Sequence, residues 1–407
     1  MKKYNQNLLW ISITTLALTA CGGSNSSSSD NISEKDEHDH EFSILVAQDT
    51  TDTLSLLEEG ELEALDDAAA GNGATLVLGE TGAYAAVLAN NTINFVHGLH
   101  DEDEEEENIE EEHEEEAHVL DFTFTGSQVI TTGGHFAVLA GGSTTFIEYD
   151  ELENDMPATE DTSNLSVNET YPALMIDEDH GVVMVFDDAD AKVFEDTTEE
   201  ASFTCTNPSS HGQTDELVVV TCDEGALAVV IEEDETTEEH TFTDSMLTLD
   251  GTVANYVWRA QGHVIVGFEP STSNYAIIEL EDETVTVSNP FVFATNICDM
   301  QLDSEKQDIL AMTLGGTFIA LDHEGIELKS IELDFSAAST CDDFIMASAA
   351  KTALVVDNAA QKGYELDMEE SESESATYHL HEDFDLAVSD IASMVIFHEK
   401  DVSKHEH

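Results

Sequence analysis

Residues 95–122 read FVHGLHDEDEEEENIEEEHEEEAHVLDF, placing four imidazoles, His97, His100, His113 and His118, within one of the densest carboxylate runs of the chain. Thirteen of the seventeen residues 101–117 are Asp or Glu. Neutral imidazole and carboxylate together suit Zn²⁺, at about 2.0–2.2 Å and ideally four in a tetrahedron. Close histidine sets recur at His38-Asp39-His40, His379-Leu380-His381 and His405-Glu406-His407, within a total of 17 histidines against 11 Lys and Arg. On a strand, residues i and i+2 share a face, so His379 and His381 can share a cation. In a flexible segment the same spacing lets the backbone wrap an ion at some entropic cost. His135, His240, His263, His323 and His398 stand alone and read as surface or satisfied core residues, and the terminal set reads as a solvated tail. For the acidic run itself, the competing reading is a solvated insertion kept open by its own charge.

Nothing in the chain points to catalysis. There is no G-x-S-x-G, no P-loop, no G-x-G-x-x-G after a strand and no EF-hand spacing. His113 to His118 reads H-E-E-E-A-H, one residue longer than the metalloprotease H-E-x-x-H, and that extra residue rotates the second imidazole off the shared helix face.

These side chains need a scaffold, and the apolar pattern describes one. Short apolar runs recur at residues 44–47, 84–88, 135–139, 181–186, 216–220, 263–268, 308–312 and 352–356, with 35 to 51 residues between successive starts. A period near 45 residues, each unit holding about four short strands between Gly and Asp turns, marks a repeat whose units must stack to bury their faces. The expectation is an all-β protein, a β-propeller of eight four-stranded blades with seven as the alternative. A pair of β-sandwiches explains the regular period less well. Residues 385–390 are expected to close the ring by pairing with strands from residues 42–65. The interval that holds the acidic run is the longest, which makes residues 99–118 an insertion.

Composition bounds the partners. With 89 acidic residues and a net charge of −78, the surface repels nucleic acid and anionic lipid headgroups and attracts cations; adaptation to a salty habitat would give the same charge. Apart from Cys21, four cysteines remain, and four allow three pairings. Cys205 and Cys222, 17 residues apart, suit neighbouring strands of one sheet, which leaves Cys298 with Cys341. Disulfides imply an oxidising compartment.

The ends fit that compartment. Lys2 and Lys3 precede an apolar stretch, residues 8–20, too short to span a membrane. It runs into Leu18-Thr19-Ala20-Cys21, which resembles the bacterial lipobox. The resemblance implies cleavage before Cys21, acylation of its thiol and, with Gly22 following, a place on the periplasmic side of the outer membrane. The expected organisation is a signal peptide (1–20), a lipidated cysteine and flexible Gly/Ser-rich tether (21–41), the propeller (42–398) and a tail (399–407).

Four stretches carry a further resemblance: H-D-H (38–40) running into SILVAQDTTDTLSLLE, H-G-x-H (97–100) before HVLDFTF, CTNPSSHGQTDELVVVTCDEGALAVV (205–230), and VVDNAAQKGYELD (355–367). In these the chain resembles the periplasmic zinc metallochaperones of the AztD type, β-propellers that deliver Zn²⁺ to the periplasmic binding protein of an ABC transporter. The resemblance implies a bound-metal site at His97, His100 and His211 and a collecting arm at His38 and His40; the acidic stretch itself adds His113 and His118 behind His97 and His100. It departs at QVITTGG (128–134) and TYPALMID (170–177), where the family tends to carry histidine and this chain has none; no role passes to the nearby His135 or His180. The expected function is Zn²⁺ binding and delivery, with affinity falling as pH drops through about 6.5. The alternative is a non-catalytic scaffold for a protein partner.

Overall fold

A computed structural model describes residues 43–398, apart from 52, 59–60, 70–72, 99–116, 153–156, 166, 179, 234–238, 282–283, 305, 336–338, 350–351 and 370–376. Among the described residues thirty-two strands form eight four-stranded antiparallel sheets arranged as the blades of a β-propeller. Blade 1 combines the chain ends: Ile391–Ile396 is its inner strand, followed outward by Ile44–Gln48, Thr53–Glu58 and Glu61–Ala69.

The other blades run outward in chain order. Blade 2 is Thr75–Leu78, Tyr84–Ala89, Thr92–His97 and His118–Thr125; blade 3 is Gln128–Thr132, His135–Ala140, Ser143–Glu148 and Thr159–Asp161. Blade 4 is Tyr171–Asp177, Val182–Phe186, Asp190–Glu195 and Thr198–Thr204; blade 5 is Ser210–Gln213, Leu217–Cys222, Gly225–Glu233 and His240–Leu247. Blade 6 is Val257–Gln261, Val264–Phe268, Tyr275–Glu281 and Thr284–Ser288. Blade 7 is Ile297–Leu302, Ile309–Thr313, Thr317–Leu321 and Glu327–Glu332; blade 8 is Phe344–Ala349, Thr352–Asp357, Lys362–Glu369 and Thr377–Asp385.

All eight apolar runs found in the sequence are second strands. That position is covered on both faces by the flanking blades, so its residues are apolar throughout instead of alternating: Val182–Phe186, Val264–Phe268 and Ile309–Thr313 are buried at every position. The outer strands alternate, as His118–Thr125 and Thr198–Thr204 do. The apolar core accordingly divides into eight clusters, each spanning one blade interface. Leu45, Ala47 and Leu54 with Ala85 and Val87 join blades 1 and 2, and Val46 and Leu57 with Leu354 and Val356 join blades 1 and 8. A blade has no core of its own, so only the closed ring buries every face.

Two expectations need correction. The ring is closed by Ile391–Ile396, not by residues 385–390: Ile44 pairs with Ile396 and Ala47 with Ser393. Only the later run, IASMVI, has the apolar content for an inner strand; Asp390 instead anchors the turn, its Oδ1 accepting from Gln48 Nε2 at 2.9 Å. The cysteines pair as expected, Cys205 with Cys222 and Cys298 with Cys341, but neither pair lies within one sheet. Cys205 follows the outer strand of blade 4 and Cys222 ends the second strand of blade 5. Cys298 lies on the inner strand of blade 7 and Cys341 just before that of blade 8. Both disulfides therefore tie adjacent blades together.

Candidate metal centre

In an antiparallel blade the turn joining the first two strands and the turn joining the last two lie at the same end. Among the described residues, nine histidines sit at this end: His135, His180, His263 and His398 by the first turn, and His97, His118, His240, His323 and His379 by the last. Contacts between blades hold these ends on a common face of the ring. His263 in the first turn of blade 6 meets His323 in the last turn of blade 7, ring centroids 6.0 Å apart. His180 in blade 4 meets His240 in blade 5 in the same way, at 5.4 Å.

Asp177 makes the second of these pairs a group that could hold a metal ion. It ends the inner strand of blade 4, and its Oδ1 accepts the backbone N–H of His180 at 3.1 Å, fixing the turn. Its Oδ2 lies 2.9 Å from His180 Nδ1 and 3.1 Å from His240 Nε2. One carboxylate oxygen thus faces one nitrogen from each of two imidazoles, from two blades, and all three ligand atoms lie within 4.8 Å of one another. The side chains of Asp177 and His180 are 23% and 29% exposed, whereas that of His240 is 3% exposed, so the group opens to solvent on the blade 4 side.

Burial opposes the charge on Asp177, but the hydrogen bonds from His180 and the fields of both imidazoles outweigh it and hold its carboxyl below the usual range. It is an anion at any pH where an imidazole is neutral. Without a cation, the two ring N–H groups donate to Oδ2. A tetrahedral Zn²⁺ has ligand-to-ligand edges of about 3.3 Å, so an ion replacing those protons needs these separations to grow by only a few tenths of an ångström. Three protein ligands leave one position open. Among the described residues the far nitrogen of His240, Nδ1, is buried without a hydrogen-bond partner, so as a ligand it would lack the acceptor that orients most metal-bound histidines. Just beyond, Glu178 Oε2 lies 3.8 Å from His135 Nε2, extending the row of potential ligands to blade 3.

The histidines chosen from the sequence are distributed differently. His97 and His118 are direct cross-strand partners in blade 2, rings 5.4 Å apart, with His97 buried and stacked on Tyr84 at 4.5 Å. Here the bounds expected for the insertion shift, because His118 already begins the outer strand. His211 lies on the inner strand of blade 5 and is not brought to His97, which lies on the third strand of blade 2 with two blades between. Its Nδ1 accepts from the Tyr171 hydroxyl at 3.0 Å, and its Nε2 donates to the Thr131 carbonyl at 3.2 Å. Desolvation pushes its pKa down to about 4 against the opposing pull of the Thr131 carbonyl, so both ring nitrogens are held by the protein in the neutral form. Gly212 beside it is required by packing, since a Cβ there would lie 2.9 Å from Ile265 Cγ2 of blade 6. His38, His40, His100, His113 and Cys21 fall outside the described residues.

Around His211 the inner strands are cross-linked by polar groups of their own. Thr132 donates to Gln213 Oε1 at 2.7 Å, and Gln213 Nε2 donates to the Met175 carbonyl. Arg259 Nε donates to Gln301 Oε1 at 3.2 Å. Asp177, His180 and His240 were missed in the sequence because His240 looked isolated. A signal was present: His180 and His240 lie 60 residues apart, as do His263 and His323, the offset from a first turn to the last turn of the next blade.

No family model and no curated protein matches the chain. Among solved structures it is similar to apo AztD from Citrobacter koseri, with a TM-score of 0.64 at 12% identity over 87% of this chain and 97% of that one. A second AztD structure from Citrobacter koseri matches with a TM-score of 0.63 at 13% identity over the same shares. The resemblance read from the sequence and the similarity in fold point to the same architecture.

Proposed function

We propose that the chain is a periplasmic carrier of Zn²⁺ that holds the ion between blades 4 and 5 on Asp177, His180 and His240 and passes it to the binding protein of an ABC transporter. The observation that carries this reading is the convergence of one carboxylate oxygen and two imidazole nitrogens, from two blades, on one partly open position. The similarity in fold to AztD and the stretches that resemble zinc metallochaperones of that type support it. The lipobox ending at Cys21 supports export and a lipid anchor on the outer membrane.

The chemistry is coordination and ligand exchange. A net charge of −78 concentrates cations at the surface. The neutral imidazoles and the Asp177 anion then select a borderline cation over Mg²⁺ or Ca²⁺, which prefer all-oxygen shells. With three protein ligands the ion is held without being enclosed, and a partner's ligand can enter the fourth position before His180 or His240 leaves. Carriage of this kind makes and breaks coordination bonds only and requires no catalysis.

Isothermal calorimetry of the mature chain with Zn²⁺ at pH 7.5 and 5.5 tests the reading. One tight equivalent at pH 7.5, weakened at pH 5.5 and lost in His180→Gln and His240→Gln, is the expected result. Affinity unchanged in both variants, and removed only by deleting residues 99–116, would leave a cation-collecting insertion on a protein-binding scaffold.

A further inference from the structure

We propose that blade 8 carries a second, outward-facing divalent-cation site built from Asp367, His379 and His381. It is separate from the centre between blades 4 and 5, and it stands whether or not that centre binds metal. Asp367 lies on the third strand directly opposite His379 on the outer strand. Two residues later the ladder slips: Leu366 pairs with Leu380 but Glu365 with Glu382, so His381 is the extra residue of a β-bulge. A bulge re-aims the side chain it carries. Here it brings His381 Nδ1 to 3.1 Å from Asp367 Oδ2, with the two histidine ring centroids 6.4 Å apart.

Three further features point to a ligand. The ligand atoms of the three residues lie within 4.8 Å of one another. Among the described residues His379 Nδ1 is buried with no hydrogen-bond partner, so part of this ring's bonding capacity goes unused there. Asp367 Oδ1 accepts from Thr352 Oγ1 at 3.2 Å, which orients the carboxylate and leaves Oδ2 to the site, as an outer-shell partner does for a ligating carboxylate. Beside them Glu365 and Glu382 face each other across the ladder, a like-charge pair that a bound cation would relieve. Two imidazoles and a carboxylate select a Zn²⁺-like ion over Ca²⁺ or Mg²⁺. With the His381 side chain 55% exposed, the ion exchanges readily with solvent or with a partner's ligands, which makes this a capture and release position.

The test uses Co²⁺, whose visible absorption reports four- or five-coordinate sites, added to the full mature chain in excess Mg²⁺ to occupy simple carboxylate clusters. The background is His180→Gln/His240→Gln, with His379→Gln or His381→Gln added singly. The expected result is one absorbing equivalent in the background that is lost on adding either substitution. An absorption unaltered by both overturns the proposal. His381 is half-exposed, so its variant keeps the fold, checked by an unchanged urea midpoint without metal. If the wild type and the background bind equal equivalents, all lost with His381, it is the inter-blade reading that fails.

Discussion

The two ends of the blades are built for different purposes. At one end lie the turns between first and second and between third and fourth strands, with nine of the described histidines, the Asp177 group and the His263–His323 pair. At the other lie the connections from blade to blade and both disulfides, Cys205–Cys222 and Cys298–Cys341. Each disulfide joins neighbouring blades where no ligand set converges among the described residues. The lesson is a division of labour. A ring whose cores are all inter-blade needs its interfaces held, and holding them at one end leaves the turns at the other free to carry ligands that straddle the same interfaces.

Blades 4 and 5 show both devices on one interface, so it is the place to pull them apart. The largest expected effect is on the ligand end: His240→Gln lowers Zn²⁺ affinity by on the order of a hundredfold, read by competition with a chelating dye, while the urea midpoint of the metal-free protein moves far less. On the stapled end, replacing Cys205 and Cys222 by Ala opens a 17-residue loop and costs roughly 3 kcal/mol of stability by urea unfolding, with the Zn²⁺ equivalents unchanged. Loss of metal binding in that double variant would show that the two ends are not independent.

His211 sits between the two devices and gives a pH effect. Its pKa is about 4 in the folded chain against about 6.5 unfolded, so the unfolded chain binds the extra proton first. Stability from this group is full above pH 6.5 and is lost as pH falls towards 4, by roughly 2 kcal/mol allowing for its partial solvent access. Asp308 runs the other way: burial, then the Asp303 charge, raise its pKa to about 6, so its cost above pH 6 is relieved on acidification. His211→Gln should therefore remove an acid-sensitive part of the urea midpoint between pH 6.5 and 4.5. The smallest effect belongs to the interface of blades 6 and 7, where His263 and His323 meet but belong to no three-ligand group among the described residues: His263→Gln should change Zn²⁺ affinity by less than about twofold.

What the sequence discloses follows from what is local. Second strands are buried on both faces, so eight apolar runs announce eight blades, and the spacing of Cys205 and Cys222 suggests their pairing even though it misplaces them within one sheet. The closing strand is misplaced because residues 385–390 and Ile391–Ile396 are adjacent and both carry apolar residues, with Leu386 packing into the same inter-blade core, so that only the higher apolar content of the later run separates them. The Asp177 group is non-local in a stricter sense. His240 meets Asp177 and His180 only across the boundary to the neighbouring blade, and the 60-residue offset to His180 acquires meaning only once the ring order is known. His97 and His118 were chosen from one stretch, and they do meet, because third and outer strands are neighbours in sequence as well as in the sheet. His211 drew notice by its place between two cysteines, but its ring is spent on Tyr171 and Thr131.

The most direct test of the central claim is diffraction from Zn²⁺-loaded crystals of the protein, with data on both sides of the zinc absorption edge. An anomalous peak within coordination distance of Asp177 Oδ2, His180 Nδ1 and His240 Nε2 is the predicted result. Zinc on His211 or within residues 99–116, with none between blades 4 and 5, would contradict it.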